Sequence, residues 1–188
     1  VVDITEKVSD IVLSDEQKKA FDGISALIDE GKPEAALLYG VTGSGKTSVF
    51  IKLIQYVLDK GQNVIMLIPE ISLTPQVVRK FQGLFGNKVS VMHSNLSLTQ
   101  RLDEFKRVKA GKARIVVGTR SAVFAHLDNI GLIIMDEEGE QTYKSESSPR
   151  YNAKDIAKKR CVTHNALLLM ASATPSIESF YYAQTGRY

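Results

Sequence analysis

The sequence predicts a three-layer α/β fold built on a mostly parallel sheet, and three observations predict it. Six apolar runs alternate with amphipathic helical stretches along the chain. The runs are continuously apolar, as strands are when helices cover both faces of a sheet. The first run leads directly into Gly40-Val-Thr-Gly-Ser-Gly-Lys-Thr47, a glycine-rich phosphate-binding loop between a strand and a helix.

Residues 1–13 have no clear period and read as a linker or arm from a preceding region, and 14–188 read as one domain. Ser14, with Gln17 three residues on, opens a helix whose apolar face is Ala20, Phe21, Ile24, Leu27 and Ile28; Gly31-Lys32-Pro33 ends it. Strands are expected over 35–39, 63–68, 89–92, 114–118, 131–135 and 166–171. Helices are expected over 47–60, 72–85, 97–110, 153–162 and 176–184. Residues 139–150 interrupt this rhythm with a polar, aperiodic stretch directly after a strand. Loops in that position of an open α/β sheet are where ligands bind.

The composition narrows the class. With 44% hydrophobic and 24% charged residues the chain is an ordinary globular protein, not a disordered one. A net charge of +3 permits a polyanionic partner without demanding one, because the basic clusters at 101–114 and 154–160 read equally well as wet helix faces. The single cysteine, Cys161, excludes an internal disulfide, and His93, His126 and His164 lack metal-ligand spacing. No apolar run approaches a membrane span and no signal peptide is evident, so the expected location is cytoplasmic.

The chemistry begins at the loop. Backbone N–H groups of Gly40, Thr42, Gly43, Ser44 and Gly45 are expected to curl around phosphates, aided by the positive end of the following helix. Lys46 would reach the β- and γ-phosphates of ATP, and the Thr47 hydroxyl would ligate Mg²⁺. A second half comes from Leu132-Ile-Ile-Met-Asp136-Glu137, a buried strand ending in two acids. Asp136 would hold Mg²⁺, directly or through a water, and Glu137 would polarise the attacking water. Gln17 reads either as a contact to an adenine edge or as a surface glutamine.

Three polar clusters end other strands on the same rim: 69–76, which includes Thr74 and Gln76; Gly118-Thr119-Arg120-Ser121; and Ser172-Ala-Thr-Pro175. Their hydroxyls, amides and backbone N–H groups suit sequence-independent gripping of phosphates. Taken along the chain, Gly40–Thr47, Pro69–Gln76, Gly118–Ala122, Asp136-Glu-Glu138 and Ser172–Pro175 resemble motifs I, Ia, Ib, II and III of superfamily 2 helicases. The longer strings Pro-Glu-Ile-Ser-Leu-Thr-Pro-Gln76, Gly118-Thr-Arg-Ser-Ala-Val-Phe124 and Ser172-Ala-Thr-Pro-Ser-Ile-Glu-Ser179 are similar to the PriA (primosomal protein N′) family of replication-restart helicases.

The resemblance implies a RecA-like first lobe of a 3′→5′ DNA helicase acting on single-stranded and branched DNA. Its expected partners are a second helicase lobe of the parent protein and the single-strand-binding and primosome proteins. It also implies that 139–151 is an aromatic-rich loop linking DNA contact to ATP hydrolysis, with Tyr143 and Tyr151 as stacking candidates and Lys144 and Arg150 as backbone contacts. The family usually has histidine where this chain has Gly139, so the usual side-chain link towards 172–174 is missing; Gln141 or the backbone would have to replace it. The second lobe, paired-cysteine zinc module and N-terminal DNA-binding region of the family are not found in this sequence. Slow hydrolysis and no unwinding are therefore expected of the chain alone. The rival readings are a different superfamily 2 translocase, a phosphoryl-transfer kinase and a nucleotide-dependent binding module.

Overall fold

In the computed structural model, residues 6–40 and 45–173 are described. The expected helix over 176–184 lies outside them. The six strands are β1 (Glu34–Tyr39), β2 (Asn63–Leu67), β3 (Val89–Met92), β4 (Ile115–Gly118), β5 (Ile130–Asp136) and β6 (Leu167–Ser172). They form one sheet in the order β1-β6-β5-β2-β4-β3, and every pairing is parallel. The mostly parallel sheet read from the apolar runs is therefore found.

The helices stop and start where the capping chemistry dictates. Helix α1 (Asp15–Asp29) opens on the Ser14–Gln17 capping box and ends before Gly31, whose φ is +63°. Helix α2 (Gly45–Asp59) leaves the phosphate loop and buries Val49, Phe50, Ile51, Leu53, Ile54, Val57 and Leu58. Helix α3 (Pro75–Phe85) begins three residues later than the sequence suggested. Glu70–Ser72 forms a separate 3-10 turn, the Thr74 hydroxyl accepts from the Val77 N–H at 3.3 Å, and Pro75 fills the first helical position, where no N–H is needed. Helices α4 (Leu98–Lys109) and α5 (Ala153–His164) are capped by Ser97 and Asn152.

Alternation along the buried strands sorts the core into two layers. Met66, Ile68, Leu132, Ile134 and Leu169 face α1, α2 and α3; Ile65, Leu67, Ile133, Met135 and Met170 face α4 and α5. Each such side chain contributes roughly 1.5–3 kcal/mol of burial. The segment read as an arm touches the body: Val8, Ile11 and Leu13 pack on the first layer, and Lys52 Nζ donates to Val8 O at 2.8 Å. Among the described residues no helix is long and apolar enough to cross a membrane.

This topology separates the sheet's carboxyl rim into two halves. The ends of β1, β6 and β5 carry the phosphate loop, Ser172 and the Asp-Glu pair. The ends of β2, β4 and β3 carry the remaining polar clusters.

Candidate active site and nucleic-acid interface

On the first half, Lys46 from α2 meets the end of β5. Lys46 Nζ lies 3.4 Å from Glu137 Oε1, and the Ser172 hydroxyl donates to Glu137 Oε2 at 3.4 Å. The structure thus brings together Lys46, Asp136, Glu137 and Ser172, which are 126 residues apart at their extremes by numbering, from 46 to 172. Glu137 adopts φ +47°, a left-handed conformation a non-glycine residue takes at a cost, and its N–H donates to Asp136 Oδ1 at 3.0 Å. Burial pushes the Asp136 carboxyl above the usual carboxylate range; Lys46 opposes that shift and the neighbouring Glu137 charge adds to it.

These residues fit a magnesium–nucleotide pair. Asp136 has one oxygen, Oδ1, held by the Glu137 backbone N–H. A half-desolvated carboxylate next to a threonine-bearing phosphate loop is the one-carboxylate set that Mg²⁺ uses when phosphates supply further ligands. No cluster of three or more metal-binding side chains exists among the described residues.

Gln17 sits beside the loop. Its Oε1 accepts the Ser14 N–H at 2.8 Å and its Nε2 donates to Gly45 O at 2.9 Å. A Cβ on residue 45 would come within 3.1 Å of that Nε2, so a larger residue there would press on the Gln17 side chain. Gln17 therefore has one oxygen lone pair and one amide hydrogen left over. Gly40 closes β1, donating to Ser172 O at 3.4 Å. The expected loop contacts Thr42, Gly43 and Ser44 lie outside the described residues, as do Thr174 and Pro175.

Gly139 does not sever the link between the two rim segments. The Glu138 N–H donates to Ala171 O at 3.1 Å, and Ser172 touches Glu137 directly. Among the described residues the connection runs through backbone and the Glu137 carboxylate, and Gln141 is exposed. Sequence reasoning missed Glu138, whose side chain is fully buried and ion-paired with Lys154 of α5. Only its place beside Asp-Glu hinted at a role. The pair ties the turn after β5 to α5, which a buried charge can do only with its partner in place.

The second half is a wide cleft. Thr119, Arg120, Tyr143 and Lys144, all expected as nucleic-acid contacts, line it, but two of them do different work. Tyr143 is corrected from a stacking platform to a post. Its ring is 2% exposed, and its hydroxyl lies 2.5 Å from Asp136 O and 3.1 Å from Leu67 O, joining the two halves of the rim. Burial raises its pKa strongly, with the Asp136 charge adding to the shift, so the phenol stays protonated.

Arg120 points inward instead of standing free for a phosphate. Its Nη1 donates to Thr142 O at 3.1 Å and Lys144 O at 2.9 Å, while Nε is buried without a partner. The guanidinium also lies 5.8 Å from the Tyr151 ring, which meets Phe124 edge-on at 4.9 Å. Tyr151 is half-buried, Arg150 is exposed, and neither lines the cleft. Thr74 serves as the α3 cap, and Gln76 is exposed on the first turn of that helix. The 139–151 stretch has definite structure, with a 3-10 turn at Gln141–Tyr143 and an antiparallel bridge between Lys144 and Asn152.

A phosphate loop, an Asp-Glu pair at the neighbouring strand end and a polar cleft along the same rim match one known family. The DEAD/DEAH box helicase description covers residues 14–181. The chain belongs to that family. It is 48% identical to replication restart protein PriA of Bacillus subtilis (strain 168), over 97% of this chain and 23% of that one. It is 46% identical to replication restart protein PriA of Treponema pallidum, over 90% of this chain and 25% of that one. The resemblance to replication-restart helicases read from the motifs is borne out, and the chain spans about a quarter of the length of these curated relatives.

Among solved structures, a RecG bound to a three-way DNA junction superposes with a TM-score of 0.67 at 23% identity, over 94% of this chain and 23% of that one. The Hef helicase domain of Pyrococcus furiosus gives 0.59 at 21% identity, over 89% of this chain and 36% of that one. These establish the RecA-like fold. The family makes the site nucleotide-dependent.

Proposed function

We propose that this chain is the first motor lobe of a 3′→5′ DNA helicase that restarts stalled replication forks, coupling Mg-ATP hydrolysis to movement on DNA. The observation that carries the reading is the convergence of Lys46 and Ser172 on the Glu137 carboxylate beside the half-buried Asp136. Lys46 is the group that meets the nucleotide's β- and γ-phosphates, freeing Glu137 from its ion pair. Thr47 and Asp136 hold the magnesium ion, which neutralises charge on the phosphates when bound. Glu137, kept close by Ser172, takes up the proton of the attacking water. Gln17, already fixed to Gly45, presents its remaining amide hydrogen and lone pair to an adenine edge.

DNA follows the rim of β2, β4 and β3, with Thr74, Gln76, Thr119, Lys144, Arg150 and Tyr151 as the contacts and Arg120 shaping the loop they share. Single-stranded and branched DNA are the substrates favoured by the similarity to PriA. A second lobe of the parent protein completes the ATP site, single-strand-binding and primosome proteins are its partners, and the cytoplasm is its place of action. Because an arginine supplied from outside accelerates related P-loop chemistry by about 10³–10⁵, the chain alone binds nucleotide and turns it over slowly.

ATP turnover by the parent protein, measured without nucleic acid and with single-stranded DNA, branched DNA and RNA, tests the reading. Strongest stimulation by branched DNA, abolished by Lys46→Ala, is the expected result. Preference for RNA would overturn the DNA assignment and leave only an ATPase.

A further inference from the structure

Between the turn after β3 and the 141–147 loop lies a cavity of about 820 Å³. Its volume is within the range of sites that enclose small organic groups. Met92, Leu96 and Phe105 give it apolar wall, and Thr119, Ser121 and Thr142 give it polar wall. Its charges balance, with Arg101, Arg120 and Lys144 set against Glu70, Glu104 and Glu146. The two arginines are already committed to main-chain oxygens. Arg101 donates to Ser94 O at 2.8 Å and Leu96 O at 3.2 Å, and Arg120 to the 142 and 144 carbonyls. A phosphate cradle has converging donors and net positive charge; this cavity has neither.

What suits a near-neutral cavity with one aromatic wall is the face and edge of a base. Phe105 is 42% exposed, and its ring is braced by His126 at 6.0 Å between centroids. His93 is held through Nδ1, which accepts the Asn95 N–H at 3.2 Å, so its Nε2 is left without a partner among the described residues. Resting on the reading of this rim as the DNA path, we propose that the cavity receives one unstacked nucleobase of the bound strand. The base lies against Phe105, with its polar edge towards His93 and Thr119. The lobe then grips DNA by one base as well as by phosphates, and this base seat moves with Tyr143, whose hydroxyl reaches Asp136 O.

The test is a fluorescent twelve-nucleotide poly-dT strand titrated with the full chain at low salt, beside a series with one abasic position moved along it. The expected result is a loss of about tenfold in affinity at one abasic position and little at its neighbours. Phe105→Ala should erase that position dependence and weaken the intact strand by a similar factor, while Phe105→Tyr retains it. Both variants should melt like the parent, since the side chain is half out of the core; His93→Ala gives an independent second arm. Equal affinity along the whole abasic series, or an intact strand bound as tightly by Phe105→Ala as by the parent, would overturn the base seat while leaving the DNA path standing. No binding of the intact strand by protein that still binds an ATP analogue would overturn the DNA path and the base seat with it.

Discussion

The two halves of the rim are built by different rules. At the ends of β1, β6 and β5, an ammonium and a hydroxyl each lie 3.4 Å from one carboxylate, and the carboxylate next to it is held half out of water. At the ends of β2, β4 and β3, charges are spread around a wide cleft and cancel in sum, and its two arginines bind backbone carbonyls. A site that must stabilise concentrated charge needs few groups at short range in low dielectric. A site that must hold a long, repetitive polymer needs breadth and shape. The Tyr143 hydroxyl touches both halves, through Asp136 O and Leu67 O.

The largest effect should come from Glu137→Gln in the parent protein. Turnover should fall about 10²–10⁴-fold, as for loss of a general base, with ATP affinity preserved. If turnover survives, the nucleotide half is a switch and the contrast between a chemical half and a gripping half collapses. Next comes Lys46→Ala, which removes a charge-assisted contact worth about 1.5–3 kcal/mol. A fluorescent ATP analogue titrated into the chain should bind roughly 10–150-fold more weakly, while oligonucleotide affinity is unmoved. A parallel loss of DNA affinity would mean that the halves are not separable.

Tyr143→Phe should act on the connection itself. Taking one hydroxyl from two buried carbonyls should cost about 1–3 kcal/mol, read as a lower Tm, and should disturb ATP-analogue and oligonucleotide affinity together. An unchanged Tm and unchanged affinities would show the hydroxyl to be idle.

The smallest effect is a gain. The folded-state pKa of Asp136 is raised by burial, so the folded protein holds that proton more tightly than the unfolded chain does. Stability is therefore lost as pH rises from the ordinary carboxylate range through the raised value, and the loss is complete above it. Asp136→Asn removes the penalty and should melt slightly higher than the parent at neutral pH, with the two converging in acid, although magnesium-dependent turnover is lost. A lower Tm for the variant at neutral pH would mean that Lys46 outweighs burial.

The nucleotide half was legible from the sequence because its parts are short strings with fixed chemistry. Gly40–Thr47 and Asp136-Glu137 each occupy a strand end, and a strand end in a parallel sheet can point only to the shared rim. The capping residues Ser14 and Ser97 placed helix starts for the same local reason, whereas α3 began late because Pro75 and Thr74 outranked the apolar period. The cleft was not legible, because it is assembled from five segments that no spacing relates. A tyrosine and an arginine in two separate polar segments read as DNA contacts until the fold buried one and turned the other towards main-chain carbonyls.

By itself, then, the sequence determined the parallel α/β fold, the candidates for nucleotide handling and the family. Periodicity, glycine-rich turns and paired acids are properties of neighbouring residues, and neighbours are fixed by the chain. Only the tertiary structure decided that Ser172 meets Glu137, that Glu138 needs Lys154, and that Tyr143 is a buried post between two sites. Those outcomes depend on which strand lies beside which and how deeply each side chain is screened from water, and neither is a property of any stretch of chain taken alone.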